Sequence, residues 1–215
     1  MTHTPFIKIC GQTHMPMVDS ALAFGAQFIG FIFHKGSPRS ITPERAAAIR
    51  SRFSKRVGVF VRQDAEEILS IVERARLDMV QLHGRQTVED ALRIGPQRVI
   101  RVLWPESCAQ VAELQEQIDA WAPYCSYYLL DAGKRGCAGG HGRALDVSEF
   151  DKLHFPHPWI LAGGLCAENL QSILACCSPD GVDLNSGVEI APGLKDPSRI
   201  LAAVHAIHLA SRAKS

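Results

Sequence analysis

The sequence predicts an α/β protein, a single-domain (β/α)8 TIM barrel of parallel strands spanning residues 1–215, and three observations carry that expectation. Eight short apolar runs rich in Val, Ile and Phe alternate with longer segments of helical period, the sequence form of successive βα units. The alternation repeats evenly from end to end without a linker. Eight such units in about 200 residues sit near the lower length limit of a closed barrel. An open doubly wound sheet is the competing architecture. It usually carries a glycine-rich dinucleotide turn after its first strand, and here FIKIC runs into GQTHMP instead.

In order, the strand runs are FIKIC at 6–10, QFIGFIF at 27–33, RVGVFV at 56–61, DMVQLH at 78–83 and QRVIRVLW at 97–104. SYYLLD at 126–131, WILAG at 159–163 and GVDLNS at 181–186 complete the set. Amphipathic stretches such as MVDSALAF, TPERAAAIRSRF, DAEEILSIVERA, CAQVAELQEQIDAW and CAENLQSILACC lie between them. Two open with helix-start chemistry, Thr42 before Pro43 and Asp64 three residues ahead of Glu67.

With 47% hydrophobic and 21% charged residues, the chain can bury a substantial core. Its 23 basic and 22 acidic residues are interleaved and leave a formal net charge of +1, which excludes an electrostatic footprint for nucleic acid or an anionic membrane. A small-molecule partner follows as the expectation. The opening MTHTPFIKICGQTHMP lacks a basic segment followed by an apolar one, and no run reaches the roughly 18 apolar residues of a membrane span, so a cytoplasmic chain is expected. Seven cysteines without CxxC spacing suit neither a disulfide framework nor a structural zinc site; most are expected reduced and buried.

A barrel gathers its chemistry at the C-terminal ends of its strands. The first run closes on Cys10, and alternation puts Lys8 on the same inward face, where an ammonium must be paired. Asp183 shares a face with Asn185 on the last strand, which closes against the first, so Lys8 and Asp183 are expected to pair. The cation should also favour the thiolate of Cys10. Gln81 and His83 share one face near the end of strand four, the pattern of a solvated, ligand-lined mouth rather than of two satisfied core residues. Asp131 closes strand six, either as an acid/base group or as a loop-anchoring carboxylate.

The loop AGKRGCAGGHGR after Asp131 is rich in glycine and basic at both ends. Its backbone, at Gly140 and Gly142, can approach an anion closely. Gly163-Gly164 after strand seven and Ser186-Gly187 after strand eight fall where many barrels hold a phosphate against a short extra helix. In the loop after strand two, HKGSPRSITPE, Lys35 reads as an exposed cation, whereas Arg39 can grip a carboxylate through two parallel hydrogen bonds.

Taken in order, KICG at 8–11, FIGFIF with SPRSI at 28–41, VGVFV at 57–61, VQLHG at 80–84 and LLD at 129–131 resemble the phosphoribosylanthranilate isomerase family. GGHG at 139–142, LAGGL at 161–165 and SGVE with PGLKD at 186–196 continue the resemblance over nearly the whole chain. It implies a cofactor-free, metal-free Amadori rearrangement of N-(5-phosphoribosyl)anthranilate in tryptophan biosynthesis, by a monomer or homodimer. It also implies Cys10 as general base, Asp131 as general acid and Arg39 as the ligand of the anthranilate carboxylate. Departures are local: His141 in the glycine loop, Leu145-Asp146-Val147 after it, and Asn185 where a serine is common. His141 either adds a cation near the phosphate or replaces a surface hydroxyl.

Two other readings compete. A related aminoaldose isomerase grips two phosphates and usually places carboxylates at both catalytic strand ends, whereas here the first group is Cys10 and one late-strand phosphate site is evident. A non-catalytic barrel that binds a phosphorylated metabolite would have no reason to keep both Cys10 and Asp131 at facing rim positions.

Overall fold

A computed structural model describes residues 4–132 and 147–214. Its eight barrel strands are β1 (Phe6–Ile9), β2 (Phe28–Ile32), β3 (Lys55–Phe60), β4 (Met79–Leu82), β5 (Val99–Leu103), β6 (Tyr127–Asp131), β7 (Trp159–Ala162) and β8 (Gly181–Leu184). They form a closed barrel in chain order, and parallel pairing of β8 with β1, Lys8 opposite Asp183, shuts it. Helices α1 (Met15–Ala23), α2 (Pro43–Ala48), α3 (Ala65–Ala75), α4 (Val88–Ile94), α5 (Val111–Trp121), α6 (Ala167–Cys176) and α7 (Pro197–Ala213) lie between and after the strands. No described helix is long and apolar enough to cross a membrane.

Period-2 alternation divides each strand between two cores. Phe28, Val57, Met79, Ile100, Val102, Leu129 and Ile160 pack together inside the barrel. Their neighbours Ile29, Phe31, Phe60, Leu82, Leu103, Tyr128 and Leu130 join the larger core under the helices. The interior is plugged at the N-terminal end by Phe6, Phe28 and Tyr127, whose ring centroids lie 4.8 to 6.0 Å apart. This apolar floor leaves the opposite end of the barrel for polar side chains.

Helix starts follow the expected chemistry. The Thr42 side chain accepts from the Arg45 N–H and the Asp64 side chain from the Glu67 N–H, satisfying amides with no partner inside α2 and α3. Helix α2 is shorter than its pattern over 42–53 suggests. Its end is set by buried Arg56 on β3, which donates to the carbonyls of Ala46 and Ile49 at 2.6 and 2.7 Å. The same guanidinium donates to Ala75 and Arg76 at the end of α3, both at 2.9 Å. One cation thereby satisfies the last carbonyls of two helices, where the helix dipole favours positive charge.

Two features depart from a regular repeat. Between β6 and β7 the described residues form a 3-10 stretch, Val147–Lys152, with Phe150 buried. After β8 a 3-10 turn, Ser186–Val188, leads into an antiparallel hairpin of β9 (Glu189–Ala191) and β10 (Leu194–Lys195) outside the barrel sheet. The six described cysteines are free; Cys10, Cys108, Cys125 and Cys177 are buried, Cys166 is half-buried and Cys176 is exposed.

Candidate active site

A cavity of about 410 Å³ opens at the C-terminal ends of the strands. Cys10, Gln81, His83, Asp131, Gly163, Gly164, Asp183, Asn185 and Ser186 all line it. Residues from β1, β4, β6, β7 and β8, scattered along the chain, are therefore brought to one place by barrel closure. Gly140, Gly142 and His141 lie outside the described residues.

Beneath the cavity the Lys8 ammonium donates to Asp183 at 2.6 Å, with side chains 0% and 7% exposed. The pairing expected from strand alternation is present. Burial pushes the Asp183 carboxyl up, and Lys8 pulls it back. Cys10 sits next along the same face of β1. Burial pushes its thiol up; the charges of Lys8 and Lys195 oppose that shift, and Asp183 adds to it. The expectation that Lys8 favours the thiolate is correct in sign, but burial outweighs it. Room for the thiol comes from β2, because a Cβ on Gly30 would stand 2.7 Å from the Cys10 sulfur.

Across the mouth, Gln81 Nε2 lies 3.1 Å from His83 Nδ1. With the amide donating, the neutral ring carries its proton on Nε2, and that nitrogen faces Asp131 Oδ2 at 3.9 Å. Burial pulls the His83 imidazole below its usual range, against the opposing effect of Asp131. Trp104 meets the ring edge-on, with centroids 5.7 Å apart.

At the β7–β8 side, Gly163 and Gly164 adopt φ of 103° and 63°, a turn that L side chains resist. Gly187 is not part of the cavity wall. It packs against the preceding loop so tightly that a Cβ there would stand 1.9 Å from the Leu165 carbonyl oxygen. The short helix expected after β8 is the three-residue turn Ser186–Val188.

Arg39 also lies beside the cavity rather than in its wall. The fork that sequence reasoning leaves for a ligand faces Glu189, with Nε to Oε1 at 2.9 Å and Nη2 to Oε2 at 2.6 Å. Glu189 and its second partner, Lys195, escape sequence reasoning. Their one signal is the pair of opposite charges flanking the Pro192-Gly193 turn. Gly30 is hidden inside the apolar run FIGFIF. Lys35 lines a separate outer groove between α2 and α3, away from the mouth.

The model of the family described as N-(5'-phosphoribosyl)anthranilate (PRA) isomerase matches residues 7–206. The N-(5'-phosphoribosyl)anthranilate isomerase of Desulfovibrio desulfuricans is 52% identical over 198 residues, which covers 92% of this chain and 93% of the relative. The crystal structure of phosphoribosyl anthranilate isomerase from Thermus thermophilus has a TM-score of 0.77 at 36% identity, covering 95% of this chain and 98% of that one. A further phosphoribosyl anthranilate isomerase, solved in complex with reduced 1-(o-carboxyphenylamino)-1-deoxyribulose 5-phosphate, has a TM-score of 0.78 at 29% identity with coverages of 95% and 98%. A barrel whose mouth joins Cys10, Asp131 and the late-strand glycines, and whose sequence matches the family over nearly its full length, belongs to the N-(5'-phosphoribosyl)anthranilate isomerase family.

Proposed function

We propose that Cys10 and Asp131 are the base and acid with which this isomerase converts N-(5'-phosphoribosyl)anthranilate into 1-(2-carboxyphenylamino)-1-deoxyribulose 5-phosphate. The observation that carries the assignment is that both side chains line one cavity, at the ends of β1 and β6.

Asp131, protonated, gives its proton to the ribose ring oxygen, so the ring opens as the C1'–O bond breaks and the anthranilate nitrogen supplies the electron pair. The resulting iminium makes the C2' proton acidic. Cys10, as thiolate, removes that proton, and the C2'–H electron pair moves into the C1'–C2' bond while the iminium nitrogen takes back its own pair. The enolamine then tautomerises to the ketone. The substrate's own nitrogen is the electron sink, so the scheme uses neither metal nor organic cofactor.

Binding divides along the cavity. The phosphate belongs at Gly163, Gly164, Ser186 and Gly187, and Gly140 and Gly142, outside the described residues, count among the expected substrate ligands. Gln81 and His83 face the sugar and its amine. Arg39 takes the anthranilate carboxylate. The whole chain then works as one catalytic domain in the cytoplasm, as a monomer or homodimer, on a phosphorylated small molecule.

The test is turnover of N-(5'-phosphoribosyl)anthranilate by purified variants. Cys10→Ala is expected to lower kcat by about 100- to 10,000-fold with the fold intact, the usual loss when a positioned base is removed. Asp131→Asn is expected to be comparably damaging, because an amide cannot supply the ring-opening proton. Near-normal turnover in Cys10→Ala overturns the base assignment. Retained activity in Asp131→Asn transfers the acid role elsewhere, with Asp146, outside the described residues, the next to substitute.

A further inference from the structure

The hairpin after β8 carries two buried charges, Glu189 and Lys195, that the chemistry above does not use. Glu189, 5% exposed, accepts both arms of the Arg39 fork and also the Lys195 ammonium at 2.8 Å. Lys195, 4% exposed, donates in addition to the Asn185 carbonyl at 2.9 Å and to its side-chain oxygen at 2.8 Å. Burial alone would push the Glu189 carboxyl up; the two cations outweigh it and hold the group below the usual carboxylate range. The cluster is thus two cations around one anion.

Its fit against the barrel mouth is close. A Cβ on Gly11, the residue after Cys10, would stand 2.8 Å from Arg39 Cδ and 2.9 Å from Asn185 Oδ1. A Cβ on Gly193, at the hairpin tip, would stand 2.9 Å from the Pro38 carbonyl oxygen. The stem of Arg39 therefore lies between the end of β1 and the hairpin, with Nε and Nη2 directed at Glu189. Among the described residues Nη1 has no hydrogen-bond partner, so one edge of the guanidinium is left for a ligand.

We infer that Glu189 is a positioning residue that holds Arg39 in register for the substrate carboxylate and, by cancelling one of the two cations, matches the site to a ligand with a single carboxylate at that end. The inference rests on the reading of Arg39 given above. A guanidinium bound on one edge loses little further rotamer freedom when its other edge meets a ligand. Without Glu189, Arg39 and Lys195 repel each other and the fork must be ordered anew each time substrate binds. The cluster with Glu189 present keeps one net positive charge, which a carboxylate neutralises and an uncharged ring does not.

The experiment measures binding of reduced 1-(o-carboxyphenylamino)-1-deoxyribulose 5-phosphate and of its carboxamide counterpart to wild type, Glu189→Gln, Arg39→Ala and the double variant. Glu189→Gln is expected to weaken the carboxylate ligand about ten-fold or more, the scale of a charge-assisted hydrogen bond, while leaving the carboxamide nearly unaffected. Its KM rises while kcat stays within about three-fold, as for lost uniform binding. The double variant is expected to bind no worse than Arg39→Ala, because the two residues act as one unit.

If Arg39→Ala loses equally on both ligands, the role of Arg39 fails and this inference with it. If Arg39→Ala discriminates between them but Glu189→Gln binds both like wild type, or the two losses add, the inference alone is overturned. Should Glu189→Gln not fold, Glu189→Asp separates the same outcomes: a shorter carboxylate keeps the charge but does not span both Nε and Nη2 of Arg39. It is expected to lose about ten-fold on the carboxylate ligand only. Wild-type affinity in Glu189→Asp overturns the positioning role.

Discussion

On the β1–β8 side of the barrel mouth the charges are paired at short range and all but half-buried Arg39 are buried, Lys8 with Asp183 at 2.6 Å and Glu189 with Arg39 and Lys195 at 2.6 to 2.9 Å. On the β4–β6 side the side chains of His83 and Asp131 are 31% and 25% exposed and stand 3.9 Å apart, beyond hydrogen-bond reach. The first side is largely shut off from water. The second is partly solvated, which puts His83 and Asp131 within reach of solvent and of a ligand's polar groups. Burial also has opposite uses on the two sides. Around Cys10 it raises the thiol and would thereby strengthen the proposed base once ionised; at His83 it favours the neutral imidazole, against the pull of Asp131.

The largest expected difference between the two sides is in stability. Lys8→Met and Asp183→Asn each leave a buried charge without its partner, a loss of about 3 to 5 kcal/mol. The double variant removes both charges and is expected to recover a substantial part of that loss. Urea unfolding of the three variants checks the point: losses that simply add would mean the pair is not the unit that the 2.6 Å contact describes.

Next in size is the pH dependence of kcat/KM. The proposed base works as thiolate, so activity is expected to rise with pH as Cys10 loses its proton, and burial places that rise above the usual thiol range. Lys8 lowers the thiol more than Asp183 raises it. Removing both in the folded double variant therefore takes away net stabilisation of the thiolate and moves the rise to higher pH. Cys10→Ala should abolish this rise. A rise at the same pH in the double variant would break the link between the buried pair and the base.

How far each side was legible in the sequence follows from the same contrast. Strand positions and the strand-end groups Cys10, Gln81, His83 and Asp131 come from a period of two within short apolar runs, a local pattern that barrel closure leaves intact. The Lys8–Asp183 pair was legible because closure of β8 on β1 is a topological rule. Glu189 was not, since its partner Arg39 is 150 residues away and the hairpin bearing it has strands of only three and two residues. The bound on α2 set by Arg56 was hidden for a related reason. Its acceptors are backbone carbonyls, which no side-chain pattern reports. Gly187 reads in the sequence only as a candidate phosphate ligand; that the Leu165 carbonyl also demands a glycine there is a contact between loops that no local pattern reports.

The smallest effect is expected on the open side and concerns His83. Burial lowers its folded-state pKa, so the native state binds a proton at this ring less readily than the unfolded chain does. Its neutral form therefore favours folding above the unfolded value, near 6.5, and that contribution is lost as pH falls through the lower folded value. His83→Asn removes the titration. Between pH 7 and pH 5 wild type should then lose slightly more stability than the variant, by about 1 kcal/mol or less because the ring is partly solvated and Asp131 offsets some of the cost. Urea midpoints for both proteins at the two pH values measure the difference. A gap as large as that of the Lys8–Asp183 variants would mean that the β4–β6 side is as tightly organised as the β1–β8 side. A reversed sign would mean that Asp131 stabilises the imidazolium more than burial opposes it, so that His83 enters catalysis charged.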